Sequence, residues 1–205
     1  FFEAGVEKMI LLISHHRDQI INYFNSRSLS FSDSPLILFS EEERPEGIIP
    51  AIKSVLAKHN ICIPMTIADG DVIRLGLDIK NLLKFHQQTN VLTTVVATNL
   101  PLQEEENYYG ARIDEKLNVI EILHQPRCIS SDVLTMTGML MCKPEIAEII
   151  NKIDIGQSRG WQDLLNILFV SGKMNAFTDK IIYLNLNTSE DIKRAELLFQ
   201  RNNTN

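Results

Sequence analysis

The sequence predicts an α/β fold, a mixed and largely parallel sheet flanked by helices, and three observations predict it. Short apolar or β-branched runs alternate with amphipathic helical stretches through the first half of the chain, the pattern of a parallel sheet with crossover helices. A hairpin signature in the second half adds antiparallel strands and makes the sheet mixed. An acidic tip, Asp69-Gly70-Asp71, ends one apolar run, and open α/β sheets receive ligands beyond the carboxyl ends of their strands.

Taken in order, residues 1–5 read as the last turn of a helix closed by Gly5, since glycine readily takes the left-handed conformation of a helix end. The chain opens without methionine and in mid-pattern, so sequence upstream of it is expected. Residues 9–14 form a first strand. In residues 17–24, Ile20, Ile21 and Phe24 fall at helical spacing, and the serine-rich residues 26–34 form a polar loop. Residues 35–40 are a second strand, and an acidic loop, 41–47, leads into a helix over 48–59 with Ile49, Ile52, Val55 and Leu56 on one face. A strand over 61–68 delivers the tip, and a helix over 78–88 precedes a β-branched strand over 91–98. The four strands are expected to lie parallel in one sheet.

Residues 109–113 and 119–124, joined by a turn at 114–118, read as a hairpin. Residues 134–142 are a further apolar strand. Pro144 falls at the first position of a helix, where a missing N–H costs little, and Ile146, Ile149 and Ile150 give that helix its buried face. A helix over 161–170 and strands over 174–178 and 181–186 follow. Thr188-Ser-Glu-Asp191 opens the last helix as a capping box with Asp in the Glu position. Residues 201–205 are polar and read as a frayed end. The glutamate runs 41–43 and 104–106 read as solvated loops.

With 205 residues, 44% of them hydrophobic, the chain suffices for one substantial domain without staples. Net charge is -6, with Lys and Arg scattered singly, so no basic stripe exists to neutralise a nucleic-acid backbone. Cys62, Cys128 and Cys142 are odd in number and widely spaced, which suits reduced thiols better than disulfides or zinc. No apolar stretch approaches a membrane span, and no leader pattern stands at the start. The expected setting is cytoplasmic, with neither nucleic acid nor membrane as partner.

Carboxylates at a strand tip suit a divalent cation held beside a phosphate. The same residues also read as a plain turn, because Asp-Gly is a strong turn dipeptide.

In their order, several segments resemble the sugar-phosphate nucleotidylyltransferases. Ala4-Gly-Val-Glu-Lys-Met-Ile-Leu-Leu-Ile-Ser14 with Gln19-Ile-Ile-Asn-Tyr-Phe24 resembles that family's second strand and flanking helices. Ala68-Asp-Gly-Asp-Val72 with Leu82-Leu-Lys-Phe-His86 resembles its Gly-Asp strand end and following helix. Tyr109-Gly110 and Thr137-Gly-Met-Leu-Met-Cys-Lys-Pro144 fall where the family has sugar-side segments, and Tyr183-Leu-Asn-Leu-Asn-Thr-Ser-Glu-Asp191 falls at its closing Asp-Ile-Gly-Thr-Pro-Glu-Asp motif. The resemblance spans nearly the whole chain. It implies one Rossmann-like domain of the nucleotide-diphospho-sugar transferase type over residues 1–205, lacking its N-terminal strand and glycine-rich loop.

The resemblance implies transfer of a nucleoside monophosphate from a nucleoside triphosphate to a sugar 1-phosphate, with release of pyrophosphate and Mg2+ as cofactor. By the family pattern, Asp71 and Asn185 bind the metal. Gly47, Asp69 and Gly70 meet the nucleotide, and Gly110, His124 and Gly138 meet the sugar. Gly47 and Gly110 also read as ordinary turn or helix-start glycines. An oligomer is compatible with this reading.

The departures are specific. Asn185 stands where the family has a second metal-binding Asp, Asn187 replaces its Gly and Ser189 its Pro. The family's Glu-Lys-Pro reads Leu123-His-Gln-Pro126, so His124 takes the place of a sugar-binding carboxylate, and Ile48-Ile-Pro50 after Gly47 replaces small residues. Two hypotheses follow: an enzyme of this type, and a non-catalytic regulatory or scaffold relative that keeps the fold and sheds the chemistry. A glycosyltransferase or cofactor nucleotidyltransferase on the same fold is a third.

Overall fold

The computed structural model describes residues 5–27, 36–42, 46–59, 61, 64–99, 109–124, 132–154, 156 and 160–202. Its elements run β1 (Lys8–Ile13), α1 (Arg17–Arg27), β2 (Leu36–Glu41), α2 (Ile48–Lys58), β3 (Met65–Ala68), β4 (Val72–Leu75), α3 (Ile79–Gln88) and β5 (Thr93–Thr98). They continue with β6 (Tyr109–Ile113), β7 (Val119–His124), β8 (Val133–Cys142), α4 (Ile146–Lys152), α5 (Trp161–Ser171), β9 (Met174–Thr178), β10 (Ile182–Asn185) and α6 (Ser189–Asn202). The chain divides into two compact units, Phe1–Cys62 with Ala147–Leu164, and Ile63–Ile146 with Leu165–Asn205.

In the first unit β1 and β2 pair in parallel, from Lys8 opposite Leu36 to Ile13 opposite Glu41. Phe24 of α1 meets Phe39 of β2 with ring centroids 6.3 Å apart. The amphipathic α2 buries Ile49, Ala51, Ile52 and Val55, and Lys53 Nζ donates to the Ile153 carbonyl at 2.7 Å. Gly5 has φ +76°, the left-handed geometry expected of a helix end. The helix expected before it lies outside the described residues, as do Cys62, Cys128 and the loops 28–35 and 101–108.

The second unit holds a mixed six-stranded sheet with β8 at its centre. The order β7-β6-β8-β5-β9 is completed by β3, which also pairs with β8. One edge of β8 carries β5 along most of its length; the other carries β3 opposite Met139 to Cys142 and β6 opposite Val133 to Thr135. All ten residues of β8 except Gly138 are buried, as suits a strand covered on both faces. β5 and β9 are parallel, and β4 pairs antiparallel with β10 in a separate ladder.

The expectation of four parallel strands in one sheet is therefore corrected. Among the described residues β1 pairs only with β2, while β3 and β5 run in the same sense but flank an antiparallel β8. Apolar runs report burial and not direction, so the sequence, which marked residues 134–142 as a strand, carried no signal for its place between β3 and β5 or for its direction. The strand expected over 61–68 is shorter, Met65–Ala68, and α4 begins at Ile146, two residues after Pro144, with its first N–H bonded to the Lys143 carbonyl. The hairpin bounds match the reading from sequence.

α3, the helix that follows the acidic tip, is fixed to the sheet by Leu82, which packs with Val96, Met139, Met141 and Ile181. Asp78 caps its start by accepting from the Asn81 N–H. The buried His86 reaches Thr94 Oγ1 through Nδ1 at 2.7 Å, and that hydroxyl donates to Asn175 Oδ1 at 2.7 Å. A hydroxyl that gives its proton to Asn175 accepts from His86, so Nδ1 carries the imidazole hydrogen. Burial lowers the His86 value and the Lys143 charge lowers it further. Cys142 is free and buried, and burial pushes its thiol up to about 12. At that value it holds almost no thiolate and is a core residue.

Candidate active site

The acidic tip stands where the edge of β8 changes partners. Ala68 of β3 opposes Met139, and the Asp69 N–H donates to the Gly138 carbonyl at 3.0 Å. The chain then turns through Gly70 and Asp71 into β4. Asp69 is half-buried, whereas Gly70 and Asp71 are exposed. In the β4–β10 ladder Val72 opposes Asn185, and the Leu186 N–H donates to the Asp71 carbonyl at 2.8 Å. Asp71 and Asn185, far apart in sequence, thus occupy neighbouring rungs of one ladder.

β8 is irregular at this point. Val95 of β5 opposes Leu140 and Ala97 opposes Met136, so one residue of β5 faces three of β8, a bulge. On the opposite edge β3 has ended and β6 has not begun, which leaves the Thr137 and Gly138 carbonyls without ladder donors from β6. Arg74 of β4 supplies them: Nε donates to Thr137 O at 2.7 Å and Nη2 to Gly138 O at 2.8 Å. Nη1 lies 3.4 Å from Asp69 O and 3.3 Å from Val72 O. Burial lowers the guanidinium value; the charges of Asp69, Tyr183 and Asp71 oppose that shift. Gly138 has φ +63°, and a Cβ there would collide with the Asp69 carboxylate and lie 3.3 Å from Arg74 Nη2. The position requires glycine for conformation and for space.

The other residues singled out from sequence fall in two places. Gly110 of β6 pairs with Leu123 and with Thr135 of β8, three residues along the strand from Gly138. His124 ends β7, exposed, its ring 5.3 Å from that of Tyr109. Asp69, Gly70, Asp71, Gly110, His124, Gly138 and Asn185 all belong to the second unit. Gly47 belongs to the first, where it caps the N-terminus of α2 with φ +115°. No added Cβ would meet an atom within 4 Å at Gly70, so that glycine leaves open space over the tip. Sequence reasoning missed Arg74. An isolated arginine in a short β-branched strand gives no signal until its acceptors are known.

A Mg2+ ion fits the donor set at the tip. Asp71, Asp69 and the Asn185 amide offer only hard oxygen, and Mg2+ is usually held by one or two carboxylates with phosphate and water completing the shell. Among the described residues no group of three or more His, Cys, Asp or Glu side chains is arranged to hold a metal. No helix among them is long and apolar enough to cross a membrane.

No protein-family model and no curated protein matches the chain. Solved structures do. HddC from Yersinia pseudotuberculosis, in complex with GMP-PN, is 20% identical, with 96% of this chain and 80% of that one covered at a TM-score of 0.70. UDP-glucose pyrophosphorylase complexed with UDP-glucose is 16% identical, with 98% and 83% covered at 0.76. The fold is that of the nucleotide-diphospho-sugar transferases. Inositol-1-phosphate CTP transferase from T. maritima, 12% identical, covers 91% of this chain and 73% of its own at 0.69. Two of these neighbours are named for an activity, a UDP-glucose pyrophosphorylase and an inositol-1-phosphate CTP transferase.

Proposed function

We propose that this chain is a nucleotidyltransferase domain that transfers a nucleoside monophosphate from a nucleoside triphosphate to a sugar 1-phosphate and releases pyrophosphate. The observation that carries the reading is the acidic tip itself, Asp69-Gly70-Asp71, seated on the Gly138 bulge of β8 and running into the β4–β10 ladder that ends at Asn185, within a fold shared with enzymes of that kind. A phosphate oxygen of the sugar 1-phosphate bonds to the α-phosphorus of the triphosphate as the bond from that phosphorus to the pyrophosphate oxygen breaks. The two reactants are anions that repel, so alignment and charge neutralisation are the catalytic needs. Bound Mg2+ supplies charge neutralisation on the phosphates, and Asp71 and Asn185 would hold it.

The chain's own residues provide the rest. Asp69 and Gly70 set the direction of the tip toward the nucleotide, Gly70 by keeping the approach open. Gly138 and Gly110, close together along β8, admit the sugar, with His124 offering a hydrogen bond to a hydroxyl in place of a carboxylate.

Replacing Asp71 by Asn is expected to cost about 10²-fold or more in the rate of pyrophosphate release, since a metal-holding carboxylate acts on transition-state charge. Unchanged turnover would remove Asp71 from the site. The second reading, a non-catalytic relative, is favoured by two residues, the neutral Asn185 and the cationic Arg74 close to the tip. Nucleotide binding with no pyrophosphate release in any variant, measured by calorimetry beside the turnover assay, decides for it.

A further inference from the structure

Arg74 is the least expected residue of the site and the one with the most specific geometry. All four of its described hydrogen bonds end on backbone carbonyls: two on the open edge of β8 and two on the tip that precedes it in sequence. The shorter pair, 2.7 and 2.8 Å, reaches Thr137 and Gly138, the segment assigned above to the sugar. The longer pair, 3.4 and 3.3 Å, reaches Asp69 and Val72, which bracket the Gly70-Asp71 turn assigned to nucleotide and metal. Unpaired carbonyls at a sheet gap can be satisfied by water or by a neutral amide. A rigid planar fork differs from either, because its donors hold several acceptors at fixed mutual positions.

We propose that Arg74 is a positioning residue that clamps the metal and nucleotide tip, 69–72, to the sugar-side bulge, 137–138, so that both halves of the site share one register. The inference rests on the functional reading above only for what the two segments bind; the clamp itself rests on the hydrogen bonds. The same side chain keeps a positive charge near Asp69 and Asp71, whose like charges would otherwise repel while no cation is bound. Three constraints meet at Gly138: its carbonyl accepts from both Asp69 N–H and Arg74 Nη2, and its missing Cβ leaves room for the Asp69 carboxylate.

The test compares the unaltered chain with R74M and R74K, using Mn2+ alone as the probe and amide exchange as a second readout. Charge and geometry predict opposite signs. If Arg74 acted only as a nearby charge, removing it in R74M would tighten Mn2+, and R74K would leave affinity unchanged. If it positions the tip, both variants weaken Mn2+ by about 10- to 100-fold, the range for residues that orient metal ligands, because lysine keeps the charge but lacks the fork. In both, the Asp69 amide is expected to exchange about tenfold faster or more, by loss of its bond to Gly138, while the amides of β3 that pair with β8 stay protected. Tighter Mn2+ in R74M, or an Asp69 amide as protected as before in a folded variant, overturns the clamp. Should the unaltered chain bind no Mn2+, the metal assignment fails, and the exchange of Asp69 still decides the clamp. Should R74M fail to fold, R74K carries both readouts.

Discussion

The turn at Asp114 and the turn at Asp69-Gly70-Asp71 both contain aspartate, and Asp114 and Asp71 do opposite things with their carboxylates. Asp114 accepts from the Lys116 and Asn118 N–H groups through Oδ1 and from the Asn118 amide through Oδ2, at 2.8 to 2.9 Å. Its carboxyl is engaged in holding its own loop, with Leu117 at φ +62°. At the tip the backbone is held from outside, by Arg74 and by the bonds to Gly138 and Leu186. Asp71 is exposed, and its carboxylate takes no hydrogen bond from any described residue. A carboxylate that builds its own turn is structural; a turn built by other groups leaves its carboxylate for a ligand.

Asp191 belongs with Asp114. Its Oδ2 accepts from the Asn187 N–H, the Thr188 N–H and the Thr188 hydroxyl, while its own N–H donates to Thr188 Oγ1. This is the reciprocal capping box read from the sequence, with Asp serving in place of Glu. It sits six residues past Asn185 and fixes the start of α6.

The largest way to break this comparison is at Gly138. Alanine there must hold a left-handed conformation and overlap Asp69, and the two costs together come to about 3 kcal/mol. Urea unfolding checks it, and a neutral substitution would show that the tip is not tightly seated. The comparison is sharpened by Asn185→Asp. One more carboxylate on the ladder beside Asp71 is expected to tighten Mg2+ about tenfold in calorimetry with nucleotide present. Absence of tightening would count for the non-catalytic relative.

The smallest effect lies in acid. Hydrogen bonds from Asn118 hold Asp114 below the ordinary carboxylate range, and those from Thr188 do the same for Asp191. A depressed folded value contributes stability that is present above the unfolded value, near pH 3.9, and is lost as pH falls through the folded one. Urea midpoints should therefore decline below about pH 4, and Asp114→Asn should flatten that decline. An unchanged slope in that variant would mean the Asp114 turn is held by its backbone alone.

What the sequence determined by itself is local. Periodicity placed the helices and most strands, the hairpin bounds follow from two short runs flanking the polar turn at Asp114 to Asn118, and the Thr188 cap needs only neighbours three residues apart. Each is an interaction between residues close along the chain, so composition and spacing carry it. The order of several motif fragments along the chain also indicated the fold. The tertiary structure alone decided strand direction, the central place of β8, the bulge at Gly138 and the role of Arg74. A strand buried on both faces, like β8, reads as a continuous apolar run whichever way it points, so pattern is blind to its direction. A bulge exists only relative to the strand it faces, and Arg74 has meaning only once the Thr137 and Gly138 carbonyls stand within its reach. A link between Asp71 and Asn185 was suggested by resemblance, but the pairing of Val72 with Asn185, one residue past Asp71, is a fact of the β4–β10 register, fixed between segments more than a hundred residues apart.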